Sequence, residues 1–250
     1  MTSFLHTAER AARAAGAFLA EHYEQDLVVD EMLEHDIKIE LDRRTQALIT
    51  DILLGDHPDH AIIGEEGNAG DEKSDHRWIV DPIDGTVNYF FGIPHFCVSI
   101  ALREGEKTLL GVVYDPMRDE LFSTTWDSEP TRNESRIQVS SRATLSEAII
   151  TVGFSKTNEG LEEGVDRYKR ISRQVRKTRM LGSAALGMAY IACGRLDAYL
   201  EESVSDWDIA AGELLIQRAG GTVLRDQKPN SDKIRVCSSN GKLPLQEIWS

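Results

Sequence analysis

Residues 78–90 read Trp-Ile-Val-Asp-Pro-Ile-Asp-Gly-Thr-Val-Asn-Tyr-Phe and concentrate the groups able to do chemistry. The apolar run Trp78-Ile79-Val80 reads as a buried strand that stops at Asp81-Pro82, because proline fixes its own φ and cannot donate to a sheet ladder. Asp81 and Asp84 are three apart, so one tight turn can aim both carboxylates at one point. Gly85 and Thr86 then offer backbone N–H groups where a short helix begins, a place suited to an anion. Carboxylates beside an anion cradle conflict unless cations lie between them. Hard metal ions bridging acidic side chains and a phosphate are the economical resolution. The structural alternative is a strand-end turn at Asp81 and a helix N-cap at Asp84.

Two further acidic clusters stand beside predicted elements. Glu65 and Glu66 follow the short apolar run Ile62-Ile63, and Ser205-Asp206-Trp207-Asp208 reads as the first turn of a helix. Each has an ordinary explanation as well: a solvated turn for the glutamates, complementation of a helix dipole for Asp208.

The elements that must position these groups follow from periodicity. Residues 4–23 carry Ala8, Ala11, Ala12, Ala15, Phe18 and Leu19 on one side, the spacing of an amphipathic helix, and residues 41–54 repeat it. Strands are predicted at 61–63, 77–81, 95–102, 108–114 and 120–125, and residues 127–136 read as polar and turn-like. From about Ile137 strand and helix alternate, with Gly194 and the pair Gly220-Gly221 as helix stops. The pattern favours layered α/β packing without an internal repeat or flexible linker.

The chain closely resembles the inositol monophosphatase family, the magnesium-dependent, lithium-sensitive phosphatases of the fructose-1,6-bisphosphatase-like superfamily. The resemblance rests on Gly64-Glu65-Glu66, on 78–90 continuing through 92–102, on Gly182-Ser-Ala-Ala-Leu186, on Trp207-Asp208-Ile-Ala-Ala-Gly212, and on Ala219-Gly220-Gly221, all in family order. It implies an αβαβα sandwich of helices and sheets. Residues 1–250 are expected to form one such domain, with most metal ligands in the half near 1–136. Asp208 and the substrate pocket would lie in the half near 137–250.

By the same resemblance, Glu65, Asp81 and the carbonyl of Ile83 would hold one Mg²⁺, and Asp81, Asp84 and Asp208 a second. A looser third ion would lean on Glu65 through water, near Asp42. A water oriented by Glu65 and Thr86 would attack phosphorus in line, with phosphate oxygens on the N–H groups of Gly85 and Thr86. Gly182, Ser183, Ala184 and Glu201 would line the alcohol end beside Asp84 and Asp208. Ser183 reads equally as a plain N-cap for a helix from Ala184 to Cys193, and Glu201 as a solvated strand end. The expected reaction is hydrolysis of an inositol monophosphate. Histidinol-phosphate phosphatase is the alternative within the class, ahead of nucleotide 3′-phosphatase and fructose-1,6-bisphosphatase; an inactive metal-binding scaffold is the alternative outside it.

The chain departs from the family where many members carry a lysine shortly before the position of Asp36 and a threonine three before Asp42. Here the residues are Glu31-Met-Leu-Glu-His35 and Ile39, with Lys38 nearby. Altered magnesium or lithium dependence is the expected consequence.

Composition bounds the partners. The net charge of −14 argues against general nucleic-acid or anionic-membrane binding, so the expected partner is a small phosphate ester, with a homodimer implied by the family. The basic run Arg167 to Arg179 reads as a solvated helix face with too few aromatics to stack bases. Cys97, Cys193 and Cys237 lack metal-ligand spacing and read as buried free thiols of a cytoplasmic protein. The first thirty residues lack a signal-peptide h-region, and the seven histidines are scattered, with His57 and His60 read as loop residues.

Overall fold

The computed structural model describes residues 2–25, 27–32, 37–154, 158–228 and 231–244. Helix α1 (Thr2–His22) buries Ala8, Ala11, Ala12, Ala15 and Leu19 completely; the small side chains let it lie close against the sheet beneath. A short hairpin, β1 (Val29–Met32) and β2 (Ile37–Ile39), leads into α2 (Glu40–Asp56). There follow β3 (Ala61–Gly64), β4 (Gly67–Gly70), β5 (His76–Asp84), the one-turn helix α3 (Thr86–Phe90), β6 (Cys97–Glu104), β7 (Lys107–Asp115) and β8 (Glu120–Thr125). A small hairpin, β9 (Thr131–Arg132) and β10 (Ser135–Arg136), occupies the stretch expected to be only turns. The rest is β11 (Ile149–Val152), α4 (Asn158–Ser172), β12 (Lys177–Arg179), α5 (Ala184–Ala192), β13 (Ala198–Val204), α6 (Asp206–Arg218), β14 (Thr222–Gln227) and β15 (Ile234–Ser239).

Two sheets result. Eight strands run in the order β10-β9-β8-β7-β6-β5-β3-β4, antiparallel except where β3 lies parallel to β5. Five run β12-β11-β13-β15-β14, with β12, β11 and β13 parallel. Side-chain alternation along the strands assigns the layers. Trp78 and Val80 of β5 pack with α1 and α2, whereas Ile79 faces α5 and α6. Helices α5 and α6 sit between the sheets, against Val113 and Phe122 on one side and Tyr199 and Val236 on the other. Ile150, Val152, Ala198 and Leu200 turn outward onto Ile171 of α4. This is the expected αβαβα layering. Among the described residues no helix is long and apolar enough to cross a membrane.

Several expectations need correction. β5 does not stop at Pro82 but runs to Asp84. Asp81 pairs with Ser99 and Asp84 with Cys97, so three steps on β5 oppose two on β6. That extra residue is a bulge, which accommodates Pro82 and re-aims the carboxylates; Ile83 N–H is satisfied by Asp81 Oδ1 at 3.0 Å. The basic run is not wholly a solvated face: Arg167 is buried and pairs with Glu202. All three cysteines are free, but Cys193 is only half-buried.

The histidines are not all scattered. His57, His60 and His76 stack face to face, with centroids 4.9 and 4.8 Å apart and ring planes within 17° and 11°. Phe4 from α1 packs against all three, and Trp78 lies against His57 and His60. His60 Nδ1 is buried without a partner, and burial followed by the neighbouring His76 and His57 holds its pKa below the usual value.

Candidate active site

Four elements end at one cavity of about 380 Å³ between the two sheets. Its lining includes Glu65, Asp81, Ile83, Asp84, Gly85, Thr86, Gly182, Ser183, Ala184, Glu201 and Asp208. The residues singled out in the sequence are thus brought to one place, Asp42 standing just behind the lining through its contact with Thr86. Asp36 lies outside the described residues.

Each acidic group is aimed by its own local device. Glu65 begins the β3–β4 turn, its N–H donating to Val80 O at 3.1 Å, which ties it to β5. Asp81 follows Ile79 by alternation onto the α5–α6 side, and the bulge carries Asp84 alongside. Asp208 is the third residue of α6; its Oδ2 accepts from Ser205 N–H, so the capping contact that starts the helix also orients the carboxylate. Asp42 repeats this in α2, accepting from Ile39 N–H at 2.9 Å. Ile39, at the position where many family members have threonine, is buried and caps the helix through its backbone only.

Electrostatics single the cluster out. Asp81 and Asp84 are buried, and Asp208 is partly open to the cavity. Burial pushes the Asp81 carboxyl well above its usual range, and Glu65, Asp84 and Asp208 add repulsion. Asp208 is raised by burial, then by Asp84 and Glu65. Asp84 is raised less steeply, because Ser183 and the N–H groups of Ala185 and Ala184 donate to it. Asp42 is pushed up to about 7, mainly by burial. These groups repel one another where water cannot screen them, and cations would relieve that.

The donor set fits hard divalent ions, though not as a finished cage. Among the described residues no three His, Cys, Asp or Glu side chains are already set to hold an ion. Asp84 is turned toward the start of α5, where Ala184 and Ala185 N–H donate at 3.1 and 2.7 Å. Mg²⁺ commonly takes only one or two carboxylates and completes its shell with water and substrate oxygens, so dispersed carboxylates suit it.

The remaining residues divide by role. Ser183 donates to Asp84 Oδ2 at 2.5 Å and also caps α5, accepting from Leu186 N–H, so the N-cap reading holds and the cap residue also faces the acidic cluster. Thr86 Oγ1 lies 2.9 Å from Ile83 O and 3.3 Å from Asp42 Oδ1, with its one proton available to either. Gly85 has φ 103°, and a Cβ there would lie 3.1 Å from both Gly182 O and His95 O; this crossing requires glycine. Asn88 locks the crossing by donating to His95 O and Leu181 O, both at 2.8 Å.

Sequence reasoning missed Asn88, Thr151, Gly153, Phe154, Leu161 and Tyr199 on the lining. Thr151, Gly153, Phe154 and Tyr199 lie in or beside short strands, and Asn88 and Leu161 in helices, settings shared with many residues outside the site. Lys38 was left open by alternation; its Nζ pairs with Glu66 Oε1 at 2.9 Å, placing a cation beside the acidic cluster.

Fold and cavity together define a layered α/β enzyme scaffold with an acidic site between its sheets. The sequence profile of the inositol monophosphatase family matches residues 1–243, and the chain belongs to that family. It is 39% identical over 227 residues to the Nus factor SuhB of Pasteurella multocida, covering 89% of this chain and 85% of that protein. The crystal structure of the extragenic suppressor protein suhB of Bartonella henselae is similar with TM-score 0.86 and 33% identity over 94% of this chain and 93% of that one. The IMPase of Thermotoga maritima gives 0.85 and 33% over 99% and 94%. Membership supports a phosphatase acting on small phosphate esters, in a family that is generally metal-dependent.

Proposed function

We propose that the protein is a Mg²⁺-dependent phosphomonoesterase that hydrolyses an inositol monophosphate to inositol and phosphate. The observation that carries this reading is the set Glu65, Asp81, Asp84 and Asp208 on the lining of one cavity, where burial raises the three aspartates and Glu65 adds repulsion to Asp81 and Asp208. When bound, two ions held by Glu65, Asp81, Ile83 O, Asp84 and Asp208, with a third loosely near Asp42, would neutralise the phosphate and lower the pKa of a water.

The chain's own residues would do the rest. Thr86, with its proton engaged by Ile83 O or Asp42, presents its lone pairs and can accept from the attacking water. Glu65 would take a second proton contact and fix the line of attack. The N–H groups of Gly85 and Thr86, at the left-handed turn before α3, would receive phosphate oxygens. Ser183, Ala184 and Ala185 hold Asp84 from the α5 side, Gly182 lines the same cavity, and Glu201 would accept hydroxyls of the leaving alcohol.

Phosphate release with Mg²⁺, comparing myo-inositol 1-phosphate and histidinol phosphate with and without a chelator, tests the reading. Chelator-sensitive preference for the inositol ester is expected. Preference for histidinol phosphate would keep the metal assignment and change the substrate. Silence on these and other phosphate esters, with Mg²⁺ demonstrably bound, would favour a role through partners, the alternative that relatives named Nus factor make concrete.

A further inference from the structure

The wall of the cavity formed by β11 and β13 has a construction that the phosphate end does not require. Tyr199 and Glu201 are two apart on β13 and therefore share a face. The Tyr199 ring is buried, and its hydroxyl donates to Glu201 Oε2 in a short hydrogen bond. Gly153, just past the end of β11, donates its N–H to Leu200 O at 2.9 Å. A Cβ at 153 would lie 1.6 Å from Glu201 Oε2 and 2.3 Å from Cδ. The backbone at 153 is outside the left-handed region, so glycine is needed there for the room it leaves and not for its conformation. Two separate strands thus converge on one carboxylate oxygen, one by donating to it and one by leaving space for it. A carboxylate that merely solvated a strand end would need neither.

Resting on the phosphomonoesterase reading of the cavity, we infer that Tyr199 and Gly153 are positioning residues that hold Glu201 as the selector of the leaving alcohol, favouring phosphate esters of polyols over esters whose alcohol carries no hydroxyl. An ionised carboxylate offers about four acceptor sites in one plane, and a donor on one oxygen fixes that plane. Glu201 lines the cavity together with Val152, Phe154 and Leu161, so apolar side chains share the wall with the oriented carboxylate. Hydroxyls that meet it exchange water for a charged acceptor; an alcohol without hydroxyls brings it no further donor.

The test is steady-state kinetics with Mg²⁺ on myo-inositol 1-phosphate and 4-nitrophenyl phosphate, for the wild type, Tyr199→Phe, Gly153→Ala, Glu201→Gln and Tyr199→Phe combined with Glu201→Gln. The ratio of kcat/KM values, polyol over aryl, should fall about tenfold in Tyr199→Phe and in Gly153→Ala, chiefly through KM for the polyol ester. In the Glu201→Gln background Tyr199→Phe should change that ratio by less than about twofold, since both act through one carboxylate. Equal losses on both esters, or independent effects of Tyr199→Phe and Glu201→Gln, would overturn the inference. So would a wild type that hydrolyses the aryl ester without preferring the polyol; this outcome leaves the phosphatase reading standing. A wild type inactive on every phosphomonoester would remove both. Gly153→Ala leaves the tyrosine in place and keeps the test decisive should Tyr199→Phe fail to fold.

Discussion

Strand β5 carries a cluster of like titratable groups at each end, and the two are opposite in nature. At its start His76 stacks on His60, and His60 on His57, with Phe4 and Trp78 packed around them. At its end Asp81 and Asp84 meet Glu65 and Asp208 around an open cavity. Burial holds the pKa of the central imidazole, His60, below its usual value, so it packs uncharged between its neighbours. Four carboxylates cannot be neutral together at pH 7 without a large departure from their usual range, and here burial and repulsion push in that direction. A cluster able to silence its own charge belongs to the core. A cluster unable to do so needs counter-ions, and that need marks a site.

The sharpest way to break this contrast is Asp81→Asn. If Asp81 bridges two ions as proposed, the change should lower Mg²⁺-dependent turnover by about a thousandfold or more, ~4 kcal/mol of transition-state stabilisation. The metal-free variant should melt no lower than wild type, because a repelled charge has been deleted. A drop of only a few-fold would take Asp81 out of the metal site.

A second test uses the signs of the shifts. Asp42 rises from 3.8 to about 7 on folding, so between those values the folded state holds more protons than the unfolded. Its contribution to stability is fully present below 3.8 and is lost as pH rises through about 7; Asp81, Asp84 and Asp208 act in the same direction. His60 is lowered from 6.5, so its contribution is present above 6.5 and is lost as pH falls through the lowered value. Denaturant titrations of metal-free protein from pH 8 to pH 6.5 should therefore show stability rising on acidification, and saturating Mg²⁺ should flatten that slope. A slope unchanged by Mg²⁺ would uncouple the carboxylates from the ions.

His60→Leu probes the other end. Its acid-side loss of stability below pH 6.5 should shrink, while Mg²⁺-dependent turnover at pH 7.5 should stay within about twofold of wild type, as expected for a residue remote from the chemistry. A tenfold loss of turnover would join the two ends of β5 in one function. The smallest effect expected is that of Lys38→Met. Lys38 sits partly exposed beside Glu66, with its own pKa held up despite partial burial by Glu66, Glu65 and Asp42. Deleting this resident cation should lower the Mg²⁺ concentration for half-maximal rate by roughly two- to threefold, in keeping with the modest worth of exposed ion pairs. A higher requirement would mean that Lys38 organises the loop.

Asp81, Asp84, Glu65 and Asp208 could be picked out before any coordinates, because carboxylates at the ends of apolar runs are chemically conspicuous and their order matches a family motif. The helices over 4–23 and 41–54 and most strands were legible for a related reason: a 3.6- or 2-residue alternation of apolar side chains is a local property of the chain. Pro82 misled the reading of β5, since a lone proline ends a strand unless a bulge absorbs it, and a bulge is decided by the partner strand. The histidine stack escaped for a related reason: His57 and His60 share the loop before β3, but His76 begins β5, and their meeting depends on the pairing of those strands.

By itself, then, the sequence determined the layered α/β class and the acidic character of the cavity, because residue type and local spacing carry that information; the choice of carboxylates as ligands came from the family resemblance. Only the tertiary structure decided that Asp84 rests on the start of α5, that Lys38 reaches Glu66, and that Gly153 leaves room for the Glu201 carboxylate that Tyr199 holds. Except for the Tyr199–Glu201 bond within β13, those contacts join residues far apart in the chain. Distances between separately folded elements are set by how their faces pack, which no local pattern encodes.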